Sequence, residues 1–507
     1  MSVQPDKRLR RRVLSAAVGA ALGTTVLSGA ASAGSLLPQA VQAPDAAQAA
    51  DSAASPTCVT PTPAYKYAWY HCQTPQQMRA AFNVPEGYKG DGQTIVLVDS
   101  YGSPTAAHDL QYFHDTFFPN EPNPNFDQVY PNGKLTYDNA NCAAKGQSGP
   151  AGAEGWAGEA NLDIEWAYAV APHAHIVLLA VPPAETLGVQ GFPNLFKAIS
   201  DAIDTYPAGT VFSMSFGVGE ETFGGAAKTQ TARFDQVFAK GLAKGDTFLS
   251  SSGDSGSTDV SKQHRDTVEY DHPSVSWPNS SPYVTSVGGT QLQYDWTWNP
   301  QSNDAWTASG GYNPDYWQST PGGQTEAVWN ESFGPIGTGG GVSKIYSRPG
   351  YQNNVLPDYG NHRLVPDLSF PAAVNGGPLV YTSFFPACDR VGWHVYGGTS
   401  AASPQVAGIV ALANQARKAA NKGPVGDLNS RIYRFGAQGT STFDDWASPF
   451  RDIVPQQYGS VAAGNLSNNQ MWGDPVAGYP TTEGYDLTTG WGSPRATAFI
   501  KALSDQS

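Results

Sequence analysis

Four short runs that read as β-strands, the first of them almost continuously apolar, constrain the fold of this chain more than any other feature. They span Thr94–Asp99, His175–Ala180, Val211–Gly217 and Thr247–Ser251. Strands that are buried on both faces of a parallel sheet have this composition, and stretches of helical character separate the runs. Strands that alternate with helices predict right-handed crossovers. We therefore expect an α/β fold with a doubly wound, mostly parallel central sheet and helices on both faces.

The predicted sheet also indicates where a functional site would form. The helices predicted between the strands span 158–170, 195–203 and 234–244. Asn194 is the candidate N-cap of the second helix. Ligands of open α/β sheets bind at the carboxyl ends of the strands. Because Asp99, Phe216–Gly217 and Asp254 lie at such ends, we expect a site there.

The N-terminus has the composition of an export signal. Basic residues cluster between Lys7 and Arg12, and the apolar run Val13–Leu27 precedes the small-residue sequence Ala31-Ser32-Ala33, which fits a cleavage site. The run is too short and too rich in Gly, Ser and Thr for a membrane anchor. We therefore predict that residues 1–33 are a signal peptide and that the protein is secreted and extracellular.

The rest of the chain divides into two predicted segments. Residues 34–63 are rich in Ala, Pro, Gln and Ser, and they are predicted to be a linker or a disordered extension. Residues 64–507 are predicted to form one large domain, to which the four apolar runs belong.

The charge balance excludes some classes of partner. The net charge of the full chain is −14, and removal of residues 1–33 would take away five basic residues and only one acidic residue. So strong an acidic excess argues against binding to nucleic acids or to anionic membranes. We expect a monomer with neither kind of partner.

Only four cysteines occur, and all of them follow the predicted signal peptide: Cys58, Cys72, Cys142 and Cys388. An even number in an exported chain predicts two disulfides, for which three connectivities are possible. The pairing of Cys58 with Cys72 is the most local of the choices. None of the four lies in a context typical of a catalytic thiol.

The segment Gly397–Pro404 places the hydroxyl of Ser400 at the predicted start of a helix, among glycines and small residues. Its glycines allow a tight turn, and the apolar run Val406–Ala413 that follows predicts a helix with Pro404 in its first turn. Backbone N–H groups at a helix N-terminus favour developing negative charge, so Ser400 is placed for nucleophilic attack. The alternative is a Ser or Thr N-cap on an ordinary core helix.

Carboxyl groups are the candidate partners of this serine. Glu159 and Asp163 are four residues apart in a predicted helix, so they share one face, and their repulsion would raise one of the two pKa values. The alternative is a solvated acidic helix face. None of the nine histidines has the context of a catalytic base. His173 and His175, two residues apart, fit a surface or strand-edge role better than a metal site.

Asp254 is the third candidate carboxyl group. It lies in Ser252-Gly253-Asp254-Ser255-Gly256, at the end of an apolar strand. An aspartate between glycines is commonly a turn residue. If its carboxyl group stays protonated, however, the O–H can donate a hydrogen bond to an oxyanion.

Together these segments resemble the sedolisin family, the serine-carboxyl peptidases that share the subtilisin fold. The resemblance covers about Pro75 to the C-terminus. The similar segments are 158–165, 252–256, 281–285, 287–290, 339–343, Arg363 with 366–369, and 398–404. Phe216 departs from the family, in which tryptophan is common at this position.

The resemblance implies a role for each candidate residue. Ser400 would be the nucleophile, Glu159 its general base, Asp163 the residue that orients Glu159, and Asp254 the acid that stabilises the oxyanion. Asp99 occupies a position where the family often has another carboxylate. Gly341 and the segment Ser213–Gly217 would form walls of the substrate cleft.

The resemblance also implies one bound calcium ion near the C-terminus. Asp452 and Asp486 would supply side-chain oxygens, and Ile453, Thr482 and Gly484 would supply backbone carbonyls, which are the ligand types calcium prefers. Thr482 stands where the family usually has glycine. Without the resemblance, these segments would read as two ordinary turns.

We therefore expect a secreted serine-carboxyl endopeptidase that hydrolyses protein or peptide substrates at acidic pH through an acyl-enzyme on Ser400. Sedolisins usually carry a long N-terminal propeptide domain, whereas only about 40 residues separate the predicted signal from the catalytic-like region. A catalytically silent, peptidase-like binding protein therefore remains an alternative. A secreted glycosidase, which would also use a carboxylate pair, is a further one.

Overall fold

The computed structural model describes residues 37–38, 41–42, 72–134, 153–181, 191–261, 268–299, 301, 317–331, 336–353, 355–384, 391–440, 445–455 and 476–506. Its α-helices are α1 (Pro75–Ala81), α2 (Ala106–Phe117), α3 (Ala153–Val170), α4 (Phe192–Thr205), α5 (Ala227–Lys244), α6 (Thr399–Ala419), α7 (Leu428–Gly436) and α8 (Ala496–Asp505). Short 3₁₀ helices span Glu220–Ala226, Gly350–Gln352 and Pro357–Tyr359.

The strands of the described residues are short except at the centre of the fold. In the first half of the chain they are β1 (Leu37–Pro38), β2 (Val41–Gln42), β3 (Cys72–Gln73), β4 (Thr94–Asp99), β5 (Asn125–Val129), β6 (His175–Ala180), β7 (Val211–Met214), β8 (Phe216–Gly219) and β9 (Thr247–Ser251). They continue with β10 (Val260–Ser261), β11 (Val268–Glu269), β12 (Ser276–Trp277), β13 (Thr285–Trp298), β14 (Trp317–Val328), β15 (Asn330–Glu331) and β16 (Ile336–Gly337). The last are β17 (Gly341–Ser347), β18 (His362–Val365), β19 (Leu368–Pro371), β20 (Gly377–Thr382), β21 (Gly392–Gly397), β22 (Phe450–Arg451) and β23 (Ser493–Pro494).

The central sheet has eight strands, in the order β14-β13-β9-β7-β4-β6-β5, with β19 paired to β13 beside that path. All of its neighbouring strands are parallel except β13 and β14. The predicted mostly parallel sheet is therefore confirmed, and three of the four apolar runs are its strands β4, β6 and β9.

Helices cover both faces of this sheet because side chains alternate along each strand. In β4, Ile95 and Leu97 belong to one buried cluster, which also contains side chains of α3 and α6. Val96 and Val98 belong to a second cluster with side chains of α4 and α5. All four β4 side chains are fully buried, which explains why the strand lacks polar alternation.

Two details differ from the sequence prediction. The run Val211–Gly217 is not one strand, since β7 pairs with β4 and β9 in the central sheet, whereas β8 pairs with β1 and β12 outside it. The chain changes sheets at Ser215. Helix α4 begins at Phe192 rather than after Asn194, because Pro193 fits the first turn of a helix, where its missing N–H costs nothing.

Two small sheets lie beside the start of α6. One has the order β1-β8-β12 and the other the order β2-β21-β20-β3. One outer strand of each sheet, β1 in the first and β2 in the second, comes from the segment that the sequence predicts to be a linker or a disordered extension. These pairings bring that segment next to β21, which directly precedes α6.

Some predictions fall outside the described residues. Residues 1–33 lie there, as do Cys58, Cys142 and Cys388, so the signal peptide and the disulfide pairings stay predictions. In the part of the chain that the structure describes, no helix is both long enough and apolar enough to cross a membrane.

Candidate active site

Ser400 is the second residue of α6, and its side chain is fully buried. The N-cap of the helix is Gly398, whose φ of 98° and ψ of 156° suit only glycine. The alternative of a Ser or Thr cap is therefore wrong. Pro404 is also not in the first turn, because α6 begins at Thr399 and the proline lies inside the helix. The Ser400 hydroxyl makes a long contact of 3.5 Å with the carbonyl oxygen of Ser215.

Helix α3 buries the predicted carboxylate pair. Glu159 and Asp163 are both fully inaccessible to solvent, so the alternative of a solvated acidic face is wrong. Burial raises the pKa of Asp163 well above its usual value, and the nearby charges of Asp99 and Glu159 raise it further. The structure thus brings three carboxyl groups together at one end of the sheet.

The N-terminal part of α3 lies against the strand that leads into the Ser400 helix. Gly158, which precedes Glu159, packs so closely on β21 that a Cβ atom there would lie 2.6 Å from the Tyr396 hydroxyl. Tyr396 is four residues before Ser400. The absence of a side chain at position 158 therefore allows the Tyr396 hydroxyl to lie against the N-terminal part of α3.

Asp99 ends strand β4 and is completely buried. Burial raises its pKa to about 8. Neither of its carboxyl oxygens has a hydrogen-bond partner among the described residues. A group in this environment holds its proton at neutral pH and can hold it near Asp163. The family resemblance implies another carboxylate at the position of Asp99, and in the structure its charge acts on Asp163.

Ser215 connects the nucleophile to the carboxyl groups; the sequence analysis placed it only within the cleft-wall segment Ser213–Gly217 and did not predict this role. Its hydroxyl donates to Asp163 Oδ1 at 2.9 Å, and its carbonyl is the group that contacts Ser400 Oγ. The residue lies where the chain leaves β7 for β8, so the backbone and the side chain can face different neighbours. The signal in the sequence was the presence of two serines, Ser213 and Ser215, in an otherwise apolar run.

Asp254 lies beside Thr399, the residue before the nucleophile. The backbone N–H and the hydroxyl of Thr399 both donate to Asp254 Oδ1, each at 2.8 Å. The residue keeps some solvent exposure. Even so, desolvation by the surrounding protein raises its pKa to about 7, although the bonds from Thr399 oppose the rise. Because both bonds end on Oδ1, a proton on this carboxyl group sits on Oδ2.

The loop of Asp254 is held from behind by a glycine-rich segment. The N–H groups of Gly337 and Gly339 donate to the carbonyls of Asp254 and Gly253, at 2.9 Å and 2.7 Å. A Cβ atom at Gly339 would lie 2.2 Å from the carbonyl oxygen of Ser252, so no other residue fits there. The Ser252 hydroxyl adds a hydrogen bond to the Gly339 carbonyl at 2.8 Å, so backbone and side-chain contacts together hold the loop.

Glu220 forms hydrogen bonds that connect the two predicted walls of the cleft, the segment Ser213–Gly217 and the strand that begins at Gly341. It follows β8 and accepts hydrogen bonds from the Ser343 hydroxyl and the Lys344 N–H of β17, both at 2.6 Å. Burial raises its pKa to about 7, although these bonds oppose the rise. Strand β17 begins at Gly341, so Glu220 links the end of β8 to β17. The sequence analysis did not single out this residue.

The two C-terminal loops that contain the predicted calcium ligands contact each other. The Gly484 N–H donates to Asp452 Oδ2 at 2.7 Å, and the Thr482 N–H donates to Asp486 Oδ2 at 2.9 Å. Asp452 Oδ1 is buried without a hydrogen-bond partner among the described residues. Ile453 is buried beside it. A cation would satisfy this orphaned oxygen, so the residues present fit calcium.

The remaining metal candidates make other contacts. His173 bonds to Asp91 and Glu121 at 2.8 Å each, and His175 bonds to Asp127 at 2.8 Å. These residues lie at the amino end of β6, away from Ser400. Over the described ranges, no group of three His, Cys, Asp or Glu side chains is close enough to hold a metal ion.

Comparisons with known proteins agree with this arrangement. The model of the subtilase family matches residues 140–428. Kumamolisin from a Bacillus species is 30% identical over 441 residues, which are 85% of this chain and 63% of that protein. Sedolisin from a Pseudomonas species is 31% identical over 276 residues, or 53% of this chain and 37% of that protein. The chain therefore spans less than two thirds of the length of these relatives.

A solved structure supports the fold. Pseudomonas sedolisin, described as a serine-carboxyl proteinase complexed with two molecules of pseudo-iodotyrostatin, superposes with a TM-score of 0.60 at 24% sequence identity. The match covers 86% of this chain and 98% of that one. The central sheet and its helices are thus those of a subtilisin-like fold. The chain belongs to the subtilase family and, within it, to the sedolisins.

Proposed function

We propose that this protein is a serine-carboxyl endopeptidase that hydrolyses peptide bonds of protein or peptide substrates. The observation that carries the proposal is the connection from Ser400 through Ser215 to the buried Asp163, on a helix that also buries Glu159. A serine at a helix N-terminus beside carboxyl groups provides a nucleophile and a general base, which acyl transfer requires. The names of the relatives, which include a serine-carboxyl proteinase, support the same function.

In the proposed reaction, the Ser400 hydroxyl attacks the carbonyl carbon of the scissile bond. The Glu159 carboxylate takes the hydroxyl proton and later gives it to the leaving amine. Asp163 is held by the Ser215 hydroxyl and fixes the orientation of Glu159. Water then hydrolyses the ester between the substrate and Ser400, which restores the free enzyme.

Asp254 would stabilise the negative charge of the tetrahedral intermediate. Its Oδ1 is occupied by the two Thr399 donors, and a proton on Oδ2 could be donated to the oxyanion. Donation requires the protonated carboxyl group, whose pKa is about 7, so activity should fall as the pH rises through that value. A carboxylate base also stays functional in acid, where a histidine would be protonated. We therefore propose that the enzyme works at acidic pH.

The test of this function is the digestion of a denatured protein at a pH of about 3–4, near the usual pKa values of carboxyl groups, and at pH ~8, above the pKa of Asp254. Mass spectrometry of the peptides shows where bonds are cut. We expect cleavage in acid, little cleavage at pH ~8, and loss of more than ~10⁴-fold of the activity in Ser400→Ala, as for other serine nucleophiles.

Circular dichroism of Ser400→Ala controls for folding. Full activity of this variant would exclude Ser400 as the nucleophile. Digestion of a polysaccharide but not of protein would favour a glycosidase, and no turnover of either would favour a silent binding protein.

We further propose that one calcium ion stabilises the C-terminal loops. Asp452 and Asp486 would bind it through side-chain oxygens, and Ile453, Thr482 and Gly484 through carbonyls. Calcium bound there supplies positive charge that holds the two loops together. Saturation with calcium at 100 times the Kd would add roughly 2.7 kcal/mol of stability.

Thermal unfolding with and without a calcium chelator measures this effect. We expect the chelator to lower the Tm of the wild type by several degrees and to leave the Tm of Asp452→Asn nearly unchanged. Calorimetric titration with calcium should give one site per chain in the wild type. An unchanged Tm together with no binding heat would refute the proposal.

We also propose that residues 1–33 direct secretion and that the protein acts as an extracellular monomer. The basic start, the apolar run and the small-residue site support this. N-terminal sequencing of the protein recovered from culture medium tests the first point, and its sedimentation coefficient tests the second.

A further inference from the structure

A surface cavity of about 550 Å³ lies between strand β17 and the segment that leads into β12. The residues to which the proposed mechanism assigns a role are not among those that line it. Its lining instead combines three basic side chains with apolar and aromatic ones: Lys344, His272, His362, Val342, Pro273 and Tyr479.

The wall that contains His272 is fastened to the loop that carries Asp254. The Thr258 hydroxyl donates to the His272 carbonyl at 3.0 Å, and the Ser274 N–H donates to the Ser257 carbonyl at 3.1 Å. Ser257 and Thr258 follow Asp254 by three and four residues. This wall is therefore bonded to the loop whose carboxyl group would stabilise the oxyanion.

The wall formed by β17 is fastened to the same loop. The strand follows Gly339, whose N–H donates to the Gly253 carbonyl at 2.7 Å. Tyr479 packs against the start of the strand, because a Cβ atom at Gly341 would lie 3.1 Å from its ring. An extended peptide advances about 3.3 Å per residue. The residues that flank a bond held at Ser400 can therefore reach the cavity.

Positive charge is concentrated around this cavity in acid. Lys344, His272 and His362 line it, and histidine side chains are protonated at acidic pH. The two ring nitrogens of His272 lie 3.0 Å from an oxygen of Asp271 and 3.2 Å from one of Glu221, and only the doubly protonated ring can donate to both. The His362 side chain is exposed and makes no hydrogen bond or ion pair with another described residue.

The nearby acidic groups do not cancel this charge. Desolvation raises the pKa of Glu221, but bonds from the Lys344 ammonium and the Ser274 hydroxyl outweigh it and hold the pKa below its usual value, so this carboxylate stays charged in acid. Burial raises the pKa of Glu220 to about 7, so Glu220 is neutral there. Asp271 is 89% exposed, and solvent screens its charge. Three positive charges thus face two negative ones, in a chain whose net charge is −14.

We propose that this cavity is a substrate subsite that binds a carboxylate of the peptide, either an acidic side chain near the scissile bond or the free C-terminus. This inference rests on the proposed peptidase function. Lys344 has three N–H donors and His362 is unpaired, so both can donate to a bound carboxylate. Val342 and the Tyr479 ring offer apolar surface to its methylene groups. Tyr270, whose ring lies 5.2 Å from that of His272, and Tyr479 stay neutral in acid because burial raises their pKa values.

The test uses pairs of short amidated peptides that differ only in Glu against Gln, placed in turn at each position around the bond that the enzyme cuts. For one position we expect the kcat/KM of the Glu peptide to exceed that of the Gln peptide by about fivefold at pH ~5, as for a favourable exposed ion pair. At pH ~3, below the usual pKa of a glutamate side chain, the ratio should fall to about one. Peptides with a free C-terminus, compared with their amides, test the second source of the carboxylate.

A matched pair of lysine variants connects the preference to the cavity. Lys344→Gln removes an ammonium group that lines the cavity, whereas Lys240→Gln removes a similarly exposed one that binds Asp204 elsewhere. We expect the ratio to fall at least about twofold in Lys344→Gln and in His362→Gln, to persist in Lys344→Arg, and to stay unchanged in Lys240→Gln.

The outcomes separate this inference from the proposed function. A preference among the amidated pairs identifies an acidic side chain as the ligand, and one between free and amidated peptides identifies the C-terminus. If the wild type cuts the peptides but shows neither preference at pH ~5, the subsite is wrong and the peptidase function stands. If it cuts neither these peptides nor a denatured protein, the proposed function fails and the inference falls with it. A preference that persists undiminished in both Lys344→Gln and His362→Gln would belong to another part of the cleft and overturn the inference.

Discussion

Helix α3 carries buried carboxyl groups on two sides. Among the described residues, one of these sides is connected to the Ser400 hydroxyl, through Ser215. Glu159 and Asp163 lie toward Ser215 and Asp99, whereas Glu165 lies on the opposite side, where its Oε2 accepts the Tyr381 N–H of β20 at 3.0 Å. Glu165 follows Asp163 by two residues, which turns it roughly 200° around the helix. All three are fully inaccessible to solvent.

The two sides cannot be told apart by burial or by pKa. Burial raises the pKa of Glu165 well above its usual value, just as it raises that of Asp163, and in both cases a nearby carboxyl group adds to the rise. The neighbour of Glu165 is Asp109, which the Thr105 hydroxyl and the Asn161 amide hold at 2.7 Å and 2.8 Å. The difference lies in what each side touches, since only one has a serine hydroxyl at a helix N-terminus. Perturbed carboxyl groups indicate a site only when a reacting group is beside them.

Neutralising one carboxyl group on each side of α3 tests most directly whether only one side takes part in catalysis. Glu159→Gln removes the proposed general base, and we expect kcat to fall by about 10³-fold, within the range for such groups. Glu165→Gln keeps the shape of the side chain and an oxygen for the Tyr381 N–H, on the side of the helix away from Ser215, so kcat should change by less than about twofold. Steady-state kinetics on a short peptide measure both variants.

Equal losses in these two variants would show that the helix side does not matter, and the assignment of Glu159 would fail. Thermal unfolding of both controls for damage to the core. Because each replaces a buried carboxyl group by an amide, their stabilities should be similar even though their activities differ.

A smaller effect on rate, with a diagnostic pH dependence, is expected at Asp254. Asparagine keeps an oxygen for the two Thr399 donors and an N–H for the oxyanion, so Asp254→Asn should lower kcat by only about tenfold, less than removal of the donor would. The wild type should lose activity as the pH rises through about 7, because the donating proton leaves. The asparagine variant cannot ionise and should not show this loss. The pH–rate profiles of the two proteins provide the test.

Asp259 offers a matched control for that profile. Its charge helps to raise the pKa of Asp254, so Asp259→Asn should lower this pKa and move the alkaline loss to lower pH. A shift in the opposite direction would contradict the role of Asp254 as the group that limits activity.

Much of this arrangement could be predicted from the sequence because it is local. The strands β4, β6 and β9 begin and end where the apolar runs do, and the spacing of Glu159 and Asp163 places them on one helix face. The role of Ser215 could not be predicted, because it depends on the chain leaving one sheet for another at that residue. The pairing of β1 and β2 was equally hidden, since backbone hydrogen bonds leave no pattern in side chains.

The smallest expected effect concerns the free energy of unfolding. It tests whether Asp99 is a protonated member of the carboxyl group cluster that contains Glu159 and Asp163. Burial raises the pKa of Asp99 to about 8, so the folded protein keeps this proton while the unfolded chain loses it above about pH 4. Stability from this group is therefore fully present below pH ~4 and is lost as the pH rises toward 8. Asp99→Asn cannot ionise in either state. It should be more stable than the wild type by at least about 1.4 kcal/mol at pH ~8, which corresponds to one pKa unit, and equally stable at pH ~4. Urea unfolding at the two pH values measures the difference in the free energy of unfolding. A gain of the same size at both pH values would show that the substitution changes packing and not the protonation of this position.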